Sequence, residues 1–512
     1  MPRAGKVYLL GAGPGDPELV TARALRRLAE ADVVLYDALV HPDILTHART
    51  GVELVFVGKR GGQPSVRQAA INARLVDEAR AGRIVARLKG GDPYLFGRGS
   101  EEAEYLHEHG IAFEVVPGVP SPIAATAYAG LSLTHRDLAS SVAYITATES
   151  DEKERTSHDW AKLATATQTL VIFMGVRKLR TQMELLARHG RSPETPVAVI
   201  QNASKPEQKT VVGTVATIAD LVDRAGIGMP ALTIVGEVVR LREHLRWFDT
   251  RPLFGRRVLV TRAQEQASTV SRMLRDAGAE PVEAPTIRIV APADPAPLRE
   301  AAKRVADYDY VVFTSQNAVE RFFEALDEAS LDARALARAR VGSVGPKTTE
   351  ALRARGIRPD TSPAKDFHGE AMAAAVLREL DGKQGARVLL PRARIARDTL
   401  PDTLRAAGIA VDTVVAYDTV PPSAEEAERI RSLFREGALD AVLFTSSSTV
   451  ENLVEVLGPD ANERLRSVVT ASIGPVTSDT AEKLGIRIDV TAPSSTTAAL
   501  VAALEERFSH DD

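Results

Sequence analysis

VYLLGAGPGDPELVTARALRRLAEADVVLYD, residues 7–37, reads as strand, glycine-rich turn, helix and strand. Val7–Leu10 and Val33–Tyr36 are short runs of aliphatic and aromatic side chains, and Ala22–Ala31 between them carries its apolar residues at helical spacing. That alternation is the building unit of an α/β sheet. The turn itself, GAGPGDP at 11–17, approaches the dinucleotide fingerprint G-x-G-x-x-G, in which glycines let backbone wrap a pyrophosphate at a helix N-terminus. The match is incomplete. Asp16 stands where a third glycine or alanine would pack helix on strand, and Pro14 stiffens the turn, so the loop taken alone is equally a plain tight turn.

The same pattern continues outward. Leu54–Val57, Ile84–Leu88, Val142–Thr146, Thr169–Met174, Val197–Ile200 and Leu232–Val235 read as strands, separated by helical-period segments such as Arg67–Ala79. The series stops at Arg246–Pro252, and Gly255-Arg256-Arg257 opens a new strand, Val258–Thr261, which places the main boundary near 250 and predicts proteolytic cleavage there. A chain of 512 residues allows three or four domains at roughly 150 residues each. Hydrophobic residues are 44%, charged residues 26% and the net charge is -4, which describes an ordinary globular protein with no basic field for nucleic acid. Cysteine is absent, so disulfides, thiolate metal sites and cysteine nucleophiles are excluded, and no metal is expected. Met1–Lys6 leads straight into a strand, and no apolar run is long enough to span a bilayer. The expectation is a cytoplasmic protein with no membrane anchor.

Beyond 250 the chain repeats itself. VLVTRA at 258–263 returns as VLLPRA at 388–393, DYVVFTSQNAV at 309–319 as DAVLFTSSSTV at 440–450, and VGSVGPKTTEALRARGI at 341–357 as TASIGPVTSDTAEKLGI at 470–486. The offsets are 130, 131 and 129 residues, so the spacing hardly drifts. Two similar doubly wound α/β units follow, each with strand–turn–helix corners that direct backbone N–H groups at a ligand; a crevice between them suits an anion.

In the first half, GAGPGDP is joined by VLYD ending at Asp37, VFVGKRGG at 55–62, RLKGGDPYLFGRGSEE at 87–102, VVPGVPSPIAATAYAGLSLTHRD at 115–137, TLVIFMG at 169–175 and PALTIVGEVV at 230–239. In this order and spacing the set resembles the uroporphyrinogen-III C-methyltransferases of the tetrapyrrole methylase family, over residues 5–248. The resemblance implies two α/β domains, about 1–118 and 119–250, joined near Pro117–Val119. It also implies a cleft between them for S-adenosylmethionine and a tetrapyrrole, and a homodimer. Carried over by position, the donor contacts are Pro14, Gly90, Gly91, Asp92, Leu95, Pro120, Ser121, Met174 and Ala203. Several positions depart from the family's usual residues: Pro120 replaces Thr, Ser121 a small residue, Phe173 Tyr and Ala203 Gly, and YITATES at 144–150 lacks the usual Thr-Gly-His.

The implied chemistry is attack of an electron-rich pyrrole carbon on an activated methyl, followed by loss of a ring proton. Asp37 and Lys59 match the family's proton acceptor and proton donor; read from the residues alone, Asp37 is a turn or helix cap and Lys59 a surface charge. Gly90-Gly91-Asp92 brings backbone close to a ligand, with a carboxylate that could meet the donor's cationic or hydroxyl groups. A porphyrinogen carries eight carboxylates, so Arg60, Lys89, Arg98 and Arg136 are candidate partners, each singly also readable as a solvated charge.

The tandem repeat, with its paired FTS loops and GP-x-T segments, is similar to uroporphyrinogen-III synthases over 255–508. That resemblance implies a two-lobed fold in which 255–287 joins 420–512 and 290–418 forms the other lobe, the chain crossing twice; APTIRIVAP at 284–292 and VVAYDTVPP at 414–422 read as the extended crossings. Periodicity alone predicts two consecutive repeats instead. The implied reaction closes hydroxymethylbilane with loss of water and inversion of the last ring. Because this substrate can ionise to an azafulvene, the protein is needed chiefly to shape it and hold its carboxylates. Ser315, Thr348, Ser446 and Thr477, beside helix starts, are candidate hydroxyl and N–H donors or simple N-caps, and Tyr417 matches the tyrosine suspected in the family of assisting departure of the hydroxyl. Two rival readings remain: an NAD-dependent oxidoreductase in the first half and a two-lobed ligand sensor in the second.

Overall fold

Continuous apolar runs make strands buried on both faces, and the computed structural model builds the first sheet from five of them. It describes residues 5–58, 67–147, 158–261, 264–363, 369–380, 383 and 385–509. Strands β1 (Lys6–Gly11), β2 (Val33–Tyr36), β3 (Glu53–Phe56), β4 (Ile84–Lys89) and β5 (Phe113–Val116) lie in the order β3-β2-β4-β1-β5, all parallel. Alternate residues serve opposite cores: Val7, Leu9, Val33 and Leu35 face one cluster, Tyr8, Leu10, Val34 and Leu88 the other. Each fully buried aliphatic side chain contributes roughly 1.5–3 kcal/mol. The C-terminal ends of β1, β2 and β4 lead into the loops 11–16, 37–41 and 90–98, which line a ligand-sized cleft.

The second sheet is mixed. β6 (Val142–Thr146), β7 (Thr169–Phe173), β8 (Pro196–Gln201), β9 (Lys209–Thr214) and β10 (Ala231–Val235) are ordered β6-β7-β10-β8-β9, with β10 antiparallel to both neighbours and β9 an antiparallel edge. β5 and β9 are not marked by apolar runs in the sequence, because each is an edge strand with mostly half-exposed residues.

In the second half, β11 (Arg257–Val260), β12 (Glu280–Glu283), β13 (Arg288–Val290), β14 (Tyr310–Phe313), β15 (Arg340–Ser343), β16 (Arg387–Ala393), β17 (Ala410–Val420), β18 (Ala441–Phe444), β19 (Val469–Ser472) and β20 (Val490–Thr491) form two sheets, β12-β11-β18-β19-β20 and β13-β17-β16-β14-β15. The repeats exchange their opening strands. β11 from the first copy pairs with β18 from the second, whereas β16 from the second pairs with β14 from the first. Val258 faces Ala441 and Val388 faces Tyr310, the same register at repeat-equivalent positions. The consecutive-repeat arrangement that periodicity predicts is therefore not the observed one: like strands present like edges, so local pattern cannot say which copy a strand joins.

Contacts divide the chain into two compact units, one of residues 1–257 with 272–281 and 505–512, the other of 258–271 with 282–504. The segment predicted as a cleavable link is anchored at Phe248, with residues on either side of it exposed. Phe248 is 4% and Leu253 0% exposed, the Phe248 ring meets Tyr128 at 4.7 Å and Phe254 at 5.3 Å, and Trp247 donates to the Ala127 carbonyl at 2.8 Å. Leu253 N–H donates to Ala277 O at 3.0 Å, tying this turn to the end of the helix Gln264–Asp276. Phe248 is thus buried in an aromatic cluster, whereas its neighbour Trp247 stays exposed.

Candidate functional site

Three glycine loops interlock at the end of the first sheet. Gly91 N–H donates to Gly13 O at 2.6 Å and Gly13 N–H returns to Gly91 O at 3.3 Å. A Cβ on Gly118 would sit 2.2 Å from Gly91 O, so only glycine permits the approach, and Gly91 itself has φ +70°. Around them lies a cleft of about 470 Å³. Pro14, Gly90, Gly91, Asp92, Leu95, Pro120, Ser121, Met174 and Ala203 all line it, together with Asp37, Lys89 and Arg98.

Backbone strain collects in the same place. Of the six non-glycine residues with positive φ among the described residues, Phe96 (54°), Arg98 (60°), Met174 (54°) and Asn202 (50°) line the cleft. Such conformations cost of order 1–3 kcal/mol each and persist where packing over-determines them. Exposed Leu39, Phe96, Met174 and Met229 give the cleft an apolar lining, with Phe96 packed on Phe173 at 4.7 Å between ring centroids. That contact is wholly between hydrocarbon rings and needs no phenol hydroxyl at 173. Position 203 has no positive φ, which removes the conformational need for glycine there. Pro120 precedes the helix Ser121–Tyr128 and supplies no side-chain cap.

Asp92 braces backbone. Its Oδ1 accepts from Tyr94 N–H at 2.8 Å and Leu95 N–H at 3.2 Å, and Oδ2 from Gly118 N–H at 3.1 Å. Both oxygens hold loops, so the carboxylate shapes the cleft wall that it lines. Asp16, the misfit in the fingerprint, also braces backbone. It caps Glu18 N–H at 2.9 Å, accepts from Tyr128 Oη at 2.8 Å, and its own N–H donates to Ser204 Oγ at 3.1 Å. Burial and this carboxylate push the Tyr128 phenol up. The residue that spoils a dinucleotide loop thus pins the loop to residues after 118.

Asp37 follows β2. Oδ1 accepts from Leu39 N–H at 3.0 Å, so the turn-cap reading holds, while Oδ2 lies 4.0 Å from Arg87. Arg98 makes a forked ion pair with Glu101, the closest distance being 2.6 Å. Arg136 is exposed and does not line the cleft. Lys59, Arg60 and the Thr148–Glu149 departure lie outside the described residues.

In the second unit, Ser315 caps the helix Gln316–Glu328 through Ala318 N–H at 3.2 Å and meets Tyr417 Oη at 3.1 Å. Tyr417 is 8% exposed. Ser446 precedes the helix Ser447–Leu457, its N–H donating to Thr449 Oγ1 at 3.2 Å. Thr348 and Thr477 are corrected by their burial, 4% exposed each: they face inward. Their neighbours Thr349 and Ser478 carry the hydroxyl pairs, to Ser343 and Ser472, both at 2.7 Å.

The profile described as Tetrapyrrole (Corrin/Porphyrin) Methylases matches residues 6–219, and that described as Uroporphyrinogen-III synthase HemD matches residues 268–502. A Ruminiclostridium josui protein named porphyrin biosynthesis protein HemD is 37% identical over 502 residues, 98% of each chain. The chain belongs to the family that fuses a tetrapyrrole methylase to a uroporphyrinogen-III synthase. A uroporphyrinogen-III C-methyltransferase of Bacillus subtilis is 41% identical over 363 residues, 70% of this chain and 74% of that one. An S-adenosyl-L-methionine-dependent uroporphyrinogen III methyltransferase of Methanosarcina barkeri is 48% identical over 241 residues, 47% of this chain and 94% of its own.

The fusion's family membership displaces the NAD and ligand-sensor readings. Two residues of the methylase half escaped sequence reasoning: Arg87 and Glu102, both within RLKGGDPYLFGRGSEE, are buried charges on the cleft's inner side. Their signal was an arginine inside the otherwise apolar run 84–88. Among the described residues no helix is long and apolar enough to cross a membrane.

Proposed function

We propose that this fusion cyclises hydroxymethylbilane to uroporphyrinogen III in its second half and methylates that product at carbons 2 and 7 in its first, giving precorrin-2 for siroheme or cobalamin. The observation that carries the reading is the convergence of nine donor-contact positions and Asp37 on one cleft. We assign residues 1–250 to the methyltransferase, with domains of about 1–118 and 119–250, and 251–512 to the synthase, with lobes of about 255–287 plus 420–512 and 290–418. The protein acts in the cytoplasm on tetrapyrroles, as a homodimer through its methyltransferase half.

S-adenosylmethionine, when bound, supplies an already activated methyl group. The cradle fits it: glycine backbone at 90–91 with no Cβ, a wall fixed by Asp92, and thioether and aromatic side chains at Met174 and Phe96 against apolar parts of a ligand. The residues around it then hold the pyrrole carbon in line with the methyl and exclude water. Asp37 takes the ring proton on its Oδ2, since Oδ1 is engaged by Leu39 N–H. Lys59 returns a proton, and Arg98 with Arg60 meets the acid arms. In the synthase half, Tyr417, oriented by Ser315, assists departure of the hydroxyl, and the N–H groups beside Ser315 and Ser446 hold carboxylates.

Supplying pure protein with hydroxymethylbilane and S-adenosylmethionine tests both halves at once. The expected product, read by mass and absorbance, carries two donor-derived methyl groups. Uroporphyrinogen III without them would sink the methyltransferase assignment, and uroporphyrinogen I alone would sink the synthase assignment.

A further inference from the structure

At the inner end of the cleft, Glu102 gathers two cations. Its Oε1 accepts from Lys89 Nζ at 2.9 Å, Gln68 Nε2 at 3.0 Å and Arg87 Nε at 3.2 Å, while Oε2 is buried with no partner among the described residues. The side chains of Arg87 and Lys89 are 5% exposed and that of Glu102 0%. Arg87 is further fixed by donating to the Leu88 carbonyl at 3.1 Å. Two cations share this one hydrogen-bonded carboxylate; Asp37 adds a longer ion pair, its Oδ2 4.0 Å from Arg87 without a hydrogen bond. Lys89 Nζ has one partner among the described residues and so retains two N–H donors, yet the residue lines the cleft. Burial, and Arg87 beside it, push the Lys89 ammonium below the usual lysine range against the pull of Glu102.

A buried ammonium that keeps unfilled N–H donors is costly unless an acceptor arrives. We propose that Lys89 and Arg87, clamped by Glu102, form a built subsite for one ligand carboxylate on the inner side of the cleft. Glu102 is the positioning residue: one of its oxygens fixes both cations and leaves donors of Lys89 unfilled. A carboxylate seated there makes charge-assisted bonds with Lys89 and sits beside Asp37, the residue assigned above to take the ring proton. This placement favours an acid arm of the tetrapyrrole; the donor's methionine carboxylate has the same chemistry. The inference rests on the methyltransferase reading for its ligands, but its test needs no turnover.

Full-length wild type, Lys89→Met and Glu102→Gln are titrated with uroporphyrin III by fluorescence quenching, and with S-adenosylhomocysteine and 5′-methylthioadenosine by calorimetry, alongside thermal melts. Lys89→Met is expected to weaken uroporphyrin III about 10- to 100-fold, the loss of a charge-assisted contact, with S-adenosylhomocysteine unchanged and no drop in melting temperature. A loss confined to S-adenosylhomocysteine, with methylthioadenosine unaffected, keeps the subsite and assigns the donor's carboxylate to it. Unchanged affinity for all three ligands overturns the proposal and leaves a structural charge cluster. Should Lys89→Met fail to fold, Lys89→Gln, which retains a donor for Glu102, carries the same comparison. Absence of methyl transfer by wild type, with uroporphyrin III affinity still dependent on Lys89, would sink the activity and not the subsite.

Discussion

The two halves build their sites from different material. The methylase cleft concentrates interlocked glycine loops, four of the six positive-φ non-glycine residues, and a buried cluster of opposite charges. The synthase half has one such strained residue among those described, Ser330, and its candidate groups are hydroxyls at helix starts with a single Tyr417–Ser315 pair. Its two copies are also unequal: at the 130-residue offset Tyr417 corresponds to Ile287, so the hydroxyl pair exists in one copy only. The contrast follows from the reactions proposed. Methyl transfer needs two reactants in line and a proton acceptor at a fixed point, whereas a substrate that ionises by itself needs mainly a shape.

The sharpest way to break this comparison is Asp37→Asn. The amide keeps the Leu39 turn but cannot take the ring proton, so methyl transfer at saturating donor should fall roughly 10²–10⁴-fold, with S-adenosylhomocysteine affinity, melting temperature and synthase rate unchanged. Single-turnover methylation checks it; near-wild-type turnover would make Asp37 a turn residue only. A smaller effect is expected from Tyr417→Phe, which should slow ring closure about tenfold, the equivalent of one hydrogen bond, and leave methylation untouched. A thousandfold loss would show that the synthase also depends on one fixed group, and erase the contrast.

The smallest effect is on stability. Glu114 on β5 is bonded by Lys6 at 3.0 Å, Arg23 at 2.7 Å and Arg27 at 3.1 Å. Burial alone would raise its carboxyl, but these cations win and hold it at about 2, against an ordinary value of 4.5. A depressed folded-state value stabilises above the unfolded value and fades as pH falls through the folded one. Glu114→Gln should therefore lower the melting temperature of the first unit by about 2–4 °C at neutral pH, a difference that shrinks between about pH 4.5 and pH 2. A gap that persists at pH 2 would assign the loss to packing.

What the sequence determined by itself was what depends on local period and ordered motif: α/β units from two-sided apolar runs, the duplicated second half, and the nine positions that meet in the cleft. Tertiary structure decided everything that depends on which partner a group finds. A strand edge is the same in either copy, so only the fold chose to pair β11 with β18 and β16 with β14. A carboxylate is the same in any loop, so only the fold committed Asp92 and Asp16 to backbone and Tyr128 while leaving an oxygen of Asp37 toward Arg87. Thr348 and Thr477 looked like ligand donors until helix phase turned them inward. Arg87 and Glu102, 15 residues apart, became one buried cluster because a strand and a helix brought them together, a contact that no local pattern encodes.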